Sequence, residues 1–248
     1  MSKTIMWITG ATSGIGAAMA ASVPYDDVRV INIARRAHPD LETVQADLSR
    51  IEDWEIVEAH LADVLGSFRG SRAIFVNNAF MYEPLGFVGE VDKDDYRKHV
   101  LVNAAAPLVL GDAFFRHAPQ GVEAGLVMIS SAAARVPFAA RAAYGAGKAA
   151  MEQWVRAVRD ELAQRESRSW AVAVRPGAVD TPALRADVAA DPETNPLVDA
   201  LAAAYANGEI DSPEVAAARI WDVLPPTPQT PPVVLLGTMV TTSGTTRS

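Results

Sequence analysis

A glycine-rich segment near the start of the chain constrains its fold more than any other feature. The segment, Thr9-Gly10-Ala11-Thr12-Ser13-Gly14-Ile15-Gly16, lies between an apolar run at residues 5–8 and an alanine-rich stretch at residues 17–22. The apolar run is typical of a buried strand, and the alanine-rich stretch is typical of a helix. The glycines therefore lie where a strand turns into a helix, the context in which glycine-rich loops bind phosphate groups.

Each of the three glycines has a distinct expected role. Gly10 permits a sharp turn, Gly14 lets the backbone approach a phosphate, and Gly16 lets the helix pack close to the strand. Free amides and the helix dipole favour an anion at this helix start. The spacing Gly-x3-Gly-x-Gly differs from the usual dinucleotide pattern, so on this segment alone a tight turn in an unrelated α/β protein stays an alternative. The candidate phosphate-binding residues are Gly10, Thr12, Ser13, Gly14, Ile15 and Gly16.

Short apolar runs alternate with amphipathic stretches along the rest of the chain, as they do in parallel α/β proteins. We predict strands at residues 4–9, 28–34, 42–46, 72–77, 125–130, 169–174 and 232–236, and helices at 14–22, 50–66, 92–103, 104–117, 144–165 and 212–223. The 248 residues suit one doubly wound α/β domain over residues 1–240, with about seven parallel strands. Residues 182–210 are predicted to form a mobile substrate lid or a plain surface insertion, and residues 241–248 a flexible tail.

Two arginines follow the second predicted strand. Many NAD-binding folds have an acidic residue there, which holds the ribose hydroxyls and would repel a 2′-phosphate. This chain has Arg35 and Arg36 instead, and arginine attracts phosphate. The pair therefore favours NADP(H) as the cofactor, with a solvated surface pair as the alternative.

Tyr144 and Lys148 are spaced for proton transfer. Residues four apart share a helix face, so Lys148 would bring a positive charge to the Tyr144 phenol. A free tyrosine, with a pKa of about 10, is a weak acid near neutral pH, and a neighbouring cation favours the phenolate. Ser131, thirteen residues upstream, could polarise a carbonyl oxygen. A core tyrosine and a solvated lysine are the alternatives for each residue taken alone.

Taken together, these motifs resemble those of single-domain short-chain dehydrogenases/reductases over nearly the whole chain. The matching features, in family order, are residues 9–16, Asp47-Leu48, Asn77-Asn78-Ala79, Asn103, Ser130-Ser131, Tyr144 with Lys148, Pro176-Gly177 and Asp180-Thr181. The resemblance implies a Rossmann-type fold and an NADP(H)-dependent oxidoreductase. The family's serine-to-tyrosine interval selects Ser131 over Ser130 as the catalytic serine.

The resemblance also implies roles for individual residues. Asp47 and Leu48 would lie at the adenine, and Asn77 and Ala79 along the cofactor. Asn103 is similar to the family asparagine that holds a water in a proton relay through Lys148. Toward the nicotinamide end, the expected cofactor-binding residues are Tyr144, Lys148, Pro176, Gly177, Val179 and Thr181.

The chain departs from the family pattern on the substrate side. Phe80 and Ala134 stand where glycine is usual, which predicts a narrower and more aromatic pocket formed in part by Phe80, Tyr82 and Phe138. Segments 176–181 and 207–216 are similar to those of sepiapterin reductase-like and benzil reductase-like members. The expected activity is therefore NADPH-dependent reduction of ketones or dicarbonyls, with Tyr144 as general acid.

Two alternative functions stay open at this point. A 3-oxoacyl-[acyl-carrier-protein] reductase would need a basic patch, which Arg135, Arg141 and Arg185 could supply, although the net charge of −8 counts against it. A non-catalytic NADP(H)-binding regulator would not need to retain Ser131, Tyr144 and Lys148 together.

Composition narrows the remaining possibilities. The absence of cysteine excludes disulfides and thiolate metal sites, and the four scattered histidines are interpreted as surface or edge residues, so no metal is expected. The acidic balance argues against nucleic-acid binding. No membrane-spanning run or secretory leader is present, which favours a cytoplasmic protein acting on a small-molecule carbonyl. The family resemblance implies a homodimer or homotetramer built through helices 104–117 and 144–165.

Overall fold

The computed structural model describes residues 3–192, 195–241 and 244–246. The strands are β1 (Thr4–Thr9), β2 (Val28–Ala34), β3 (Glu42–Gln45), β4 (Arg72–Asn77), β5 (Glu123–Ile129), β6 (Trp170–Arg175), β7 (Val233–Leu235), β8 (Met239–Thr241) and β9 (Gly244–Thr246). Within the described ranges, β1 to β7 form one parallel sheet in the order β3-β2-β1-β4-β5-β6-β7. This order confirms the predicted doubly wound, seven-stranded fold.

Helices connect the strands and cover both faces of the sheet. They are α1 (Gly14–Ala21), α2 (Ile51–Ser67), α3 (Lys93–Val100), α4 (Ala106–His117), α5 (Ala142–Gln164), α6 (Pro182–Val188), α7 (Val198–Ala206) and α8 (Pro213–Asp222). The boundary predicted between residues 103 and 104 is instead a π-helical turn, Leu101–Ala105, that joins α3 to α4. Such turns occur often at functional sites.

The apolar core has two halves because both faces of the sheet are covered. On one face, α2, α4 and α5 pack over alternate strand residues such as Trp7 and Phe75. On the other, α1 and α8 pack over residues such as Met6 and Ile8. Burial on both sides explains why the strands read as continuous apolar runs, which is typical of parallel sheets.

The predicted lid segment, residues 182–210, contains α6 and α7. Its apolar side chains Leu197 and Leu201 pack with Val240 of β8 in a small separate cluster. Residues 193–194 of this segment lie outside the described residues. The predicted flexible tail at 241–248 differs from the structure where Gly244–Thr246 pairs with Met239–Thr241 as an antiparallel ladder. Tail residues 242–243 and 247–248 lie outside the described part.

Candidate active site

A cavity of about 830 Å³ runs along the carboxyl ends of the strands, from the turn after β1 to the underside of α6. Ligands bind at this edge in open α/β sheets. Most residues predicted from the sequence line the cavity: Gly10, Thr12, Ser13, Gly14, Ile15, Arg35, Arg36, Asp47, Leu48, Ala79, Phe80, Tyr82, Ser131, Phe138, Tyr144, Lys148, Pro176, Gly177, Val179 and Thr181. Gly16, Asn77 and Asn103 do not line it.

The glycine turn has the backbone that its sequence predicts. Gly10 and Gly14 have φ angles of +72° and +55°, which favour glycine. A Cβ at Gly16 would lie 2.3 Å from the Gly10 carbonyl oxygen, so Gly16 permits close helix packing rather than lining the cavity. The Ala11 amide donates to Asn32 Oδ1 at 3.0 Å, which ties the turn to β2.

Asn78, and not Asn77, faces the cavity after β4. Asn78 Nδ2 donates to the carbonyl oxygens of Thr9 and Gly10, at 3.0 and 3.2 Å, and so holds the glycine turn. The Asn77 side chain is buried, and its Nδ2 has no hydrogen-bond partner among the described residues. The expectation that Asn77 lies along the cofactor is therefore corrected to Asn78, because successive side chains of an extended segment point to opposite sides.

Positive charge lies at the outer end of the cavity. Arg35 and Arg36 follow β2 and are exposed at its rim. Asp47 lies nearby, and its Oδ1 accepts from the Ser49 amide and hydroxyl at 3.0 and 2.8 Å. Burial raises the pKa of Asp47, but these hydrogen bonds and the charges of Arg35 and Arg50 hold its pKa below the usual value. A charged Asp47 next to two free guanidinium groups can bind both a polar base and a phosphate.

Ser131, Tyr144 and Lys148 meet at the inner end of the cavity. Ser131 begins a 3₁₀ turn, Ala132–Ala134, after β5, and hydrogen-bonds the Tyr144 phenol from the first turn of α5. Lys148 is 3% exposed, and its Nζ donates to the Ile129 carbonyl oxygen at 2.7 Å. Its Nζ lies 5.6 Å from the centroid of the Tyr144 ring.

Ser130 has a different environment from Ser131. Its hydroxyl donates to Glu152 Oε1 at 2.7 Å, and the same carboxylate accepts from Arg175 Nε at 2.6 Å. These three side chains are buried. Ser130 is thus committed to an internal polar network under the site, which leaves Ser131 to face the cavity.

The electrostatics of Tyr144 differ from the sequence expectation. Burial raises the pKa of the Tyr144 phenol, opposed by the hydrogen bond with Ser131 and the charge of Arg141. Burial also lowers the pKa of Lys148 to about 8. The expected lowering of the tyrosine pKa by Lys148 is therefore not found, because burial outweighs the nearby charges and the closest opposing groups are Ser131 and Arg141.

The Asn103 side chain is not free to hold a water at the cavity. It accepts from the Met81 amide at 2.8 Å and donates to the Met81 carbonyl at 2.7 Å. Its Nδ2 also lies 2.9 Å from His99 Nε2, while His99 Nδ1 lies 2.9 Å from the Glu83 carbonyl oxygen. The side chain of Asn103 thus fixes the Met81 backbone of the cavity wall.

The main-chain carbonyl of Asn103 does face helix α5. A Cβ at Gly147 would lie 2.6 Å from the Asn103 carbonyl oxygen, so glycine permits this approach next to Lys148. Any contribution of Asn103 to a proton relay must use this carbonyl, and the predicted role of its side chain is corrected accordingly. His99 is 2% exposed, which also corrects its interpretation as a surface histidine.

The substrate end of the cavity combines aromatic rings with one buried ion pair. Phe80 lies 6.0 Å from Tyr144 between ring centroids, and Tyr82 Oη donates to Asp187 Oδ1 at 2.7 Å. Asp187 is also paired with Arg141. Sequence reasoning did not assign these two charged residues to the site. Arg141 could have been found from its spacing, since it lies one helical turn before Tyr144.

This arrangement suits a dinucleotide with a proton-transfer group at its inner end. A phosphate-binding turn, a basic rim and a buried tyrosine line one continuous cavity. Within residues 3–192, 195–241 and 244–246, no three His, Cys, Asp or Glu side chains are grouped to hold a metal ion. In the same part of the chain, no helix is both long and apolar enough to cross a membrane.

Comparisons with known proteins agree with this geometry. A benzil reductase ((S)-benzoin forming) from Bacillus cereus is 26% identical over 231 residues, covering 88% of this chain and 92% of the relative. A benzil reductase of the same name from Bacillus subtilis is 30% identical over 179 residues, covering 70% of this chain and 74% of the relative. A short chain dehydrogenase from Burkholderia cenocepacia, solved in complex with NADP, has the same fold with a TM-score of 0.73 and 24% identity, covering 95% of this chain and 96% of that chain.

The family model described as short chain dehydrogenase matches residues 4–192, from β1 through α6. That span contains the glycine turn, Ser131, Tyr144 and Lys148. The chain therefore belongs to the short-chain dehydrogenase/reductase family of oxidoreductases.

Proposed function

We propose that this protein is an NADPH-dependent carbonyl reductase that converts ketones, and vicinal dicarbonyls in particular, to alcohols. The observation that carries the proposal is the meeting of Ser131, Tyr144 and Lys148 at the inner end of the cavity that begins at the glycine turn. Benzil, the substrate named for two relatives, is a vicinal dicarbonyl flanked by aromatic rings. The aromatic side chains of the inner cavity are suited to such a molecule.

The chain's own residues supply the acid and the oxygen-binding group. NADPH, when bound, supplies the hydride for the carbonyl carbon. Tyr144 Oη gives its proton to the carbonyl oxygen, and Ser131 Oγ donates a hydrogen bond to that oxygen as its negative charge grows. Lys148, whose pKa is about 8, lies beside the phenol and is able to carry a proton toward it near neutral pH.

The preference for NADPH rests on the basic rim. Arg35 and Arg36 are exposed and have no ion-pair partner among the described residues, so their donors are available to a 2′-phosphate. Arginine binds phosphate through paired, charge-assisted hydrogen bonds. An NADP complex of a structural relative is in keeping with this choice.

A neutral ketone fits the cavity better than a carrier-bound thioester. Two of the three arginines that could dock an acidic carrier protein are already paired, Arg141 with Asp187 and Arg185 with Asp180. These pairs cancel the basic patch that the thioester activity would need. The polar network instead encloses an aromatic pocket.

Steady-state NADPH oxidation tests the proposal. We expect a higher kcat/KM for benzil than for a short 3-oxoacyl thioester, and a clear preference for the thioester would favour the acyl-reductase alternative. Tyr144→Phe keeps the ring contacts and removes the acid, so ketone reduction should fall roughly 10²–10⁴-fold. NADPH binding, measured by fluorescence titration, should change little. Reduction by this variant within about threefold of the parent rate would contradict the assignment of Tyr144.

A further inference from the structure

Arg141 is a buried cation at the substrate end of the cavity. It caps the start of α5, one helical turn before Tyr144, and both residues line the same cavity. Its side chain is 8% exposed, and its guanidinium carbon lies 5.3 Å from the centre of the Tyr82 ring. Burying an arginine is unfavourable unless the group is paired and hydrogen-bonded, so its position requires an explanation.

A carboxylate on the lid segment holds Arg141 in place. Asp187 of α6 accepts hydrogen bonds at Oδ1 from Arg141, from Tyr82 Oη at 2.7 Å and from Asn195 Nδ2 at 2.9 Å. Three elements that are distant in sequence thus converge on one oxygen atom. This oxygen engages the Arg141 NH2 group and leaves further guanidinium N–H donors, which can reach a ligand oxygen, because the group carries five donors in all.

The charge of the Arg141–Asp187 pair constrains the ligand. The two side chains sum to zero charge, so this end of the cavity offers hydrogen-bond donors without net positive charge. A carboxylate at this end would be repelled by Asp187, whereas a neutral carbonyl oxygen would accept from Arg141 without displacing it. The spacing of one helical turn places this donor beside the Tyr144 phenol.

We infer that Arg141 binds the second carbonyl oxygen of a neutral vicinal dicarbonyl while Tyr144 and Ser131 act on the first. Arg141 is thus a specificity-determining residue, and Asp187, Tyr82 and Asn195 position it. This inference rests on the proposed carbonyl reductase function and defines its substrate class. The product is an α-hydroxyketone, in which the carbonyl held by Arg141 is the one left unreduced.

A matched pair of substrates tests the inference. Benzil has two adjacent carbonyls, and deoxybenzoin keeps both phenyl rings with only one carbonyl. Arg141→Gln should lower kcat/KM for benzil about 10- to 100-fold, the usual effect of losing a hydrogen bond from a charged group. Deoxybenzoin, which lacks the second oxygen, should change less than about threefold on the same reasoning. Arg185→Gln, at an exposed ion-paired arginine of α6, is the control and should leave both values unchanged.

Arg141→Lys provides a second variant that keeps the charge and the pair with Asp187. It should lose part of the benzil preference, because an ammonium group lacks the planar fork of donors. If Arg141→Gln does not fold, as judged by its thermal transition, the benzil-to-deoxybenzoin ratio of Arg141→Lys decides.

Other outcomes would overturn the inference. Equal losses with both substrates would show that Arg141 acts on Tyr144 or on folding and does not read the second oxygen. An unchanged ratio would also reject it while leaving the carbonyl reductase proposal intact. A parent protein that reduces neither compound, nor any ketone of a wider panel, would reject both. Tighter binding of phenylglyoxylate, an anionic keto acid, than of benzil would replace the neutral substrate class with an anionic one.

Discussion

Replacing Lys148 with methionine should abolish ketone reduction and yet raise the free energy of unfolding near neutral pH. Lys148 is buried, and burial lowers its pKa from an ordinary value of 10.5 to about 8. Each pKa unit corresponds to about 1.4 kcal/mol, so keeping this lysine charged in the folded protein costs about 3 kcal/mol. Methionine is of similar length and needs no compensating partner in an apolar environment.

One hydrogen bond offsets part of this gain. Lys148 Nζ donates to the Ile129 carbonyl oxygen, and methionine leaves that buried acceptor without this donor. Such a loss costs roughly 1–2 kcal/mol. The net stabilisation at pH 7 should therefore be about 1–2 kcal/mol.

The pH dependence gives the prediction its sign. Below pH 8 the lysine is charged in both the folded and unfolded states, so the full penalty is present. As pH rises from 8 toward 10.5, the folded protein loses the proton before the unfolded chain does, and the penalty disappears. The variant should then become the less stable protein, because only the lost hydrogen bond to Ile129 is left.

Urea unfolding at several pH values from 7 to 10.5, with and without the substitution, would measure this crossover. Lys93→Met, at an exposed position of α3, controls for the loss of one positive charge. A stability difference that is the same at every pH would refute the reasoning, since the lysine pKa would then be unperturbed by folding. Full ketone reduction by Lys148→Met would separately refute its role at the active site.

Two further predictions concern the ends of the cavity. Arg35→Asp should reduce NADPH use far more than NADH use, because a charge-assisted phosphate contact is worth about 1.5–3 kcal/mol, and equal kcat/KM for both cofactors in the parent would contradict the assignment. Burial chiefly lowers the pKa of His99, and the charges of Arg141 and Lys148 add to this effect against a hydrogen bond to Glu83. Because the unfolded chain takes up the proton first, stability should fall as pH drops through about 6.5, the ordinary histidine value, and His99→Gln should weaken that fall in urea unfolding at pH 5 and 7.5.

Local patterns in the sequence predict the fold and the main side chains of the cavity well. The glycine turn requires particular φ angles at Gly10 and Gly14, and helix geometry requires Tyr144 and Lys148 to share a face. Both requirements are met within a few residues of chain. The strands were also predictable, because burial on both faces of a parallel sheet leaves long apolar runs.

Interactions between distant segments were not predictable in the same way. Asn103 binds the backbone of Met81, 22 residues away, and Tyr82 binds Asp187, 105 residues away. Residue type alone does not show which polar partner a folded chain will bring to such groups. The pKa of Tyr144 was misjudged for a related reason, because helical spacing shows that Lys148 is near but does not show how deeply both groups are buried.

Helix α5 shows how one face of a helix can serve two purposes. Its C-terminal part carries Met151 and Val155, which pack into the core under the sheet as their spacing predicts. One to two turns earlier, the same face carries Tyr144 and Lys148, where hydrophobic patterning would call for apolar residues. Buried polar groups in such positions reduce stability, and they persist where function requires them. The site is therefore marked by the point along α5 at which an otherwise continuous apolar face becomes polar, and the stability gained by Lys148→Met would measure what that change costs the fold.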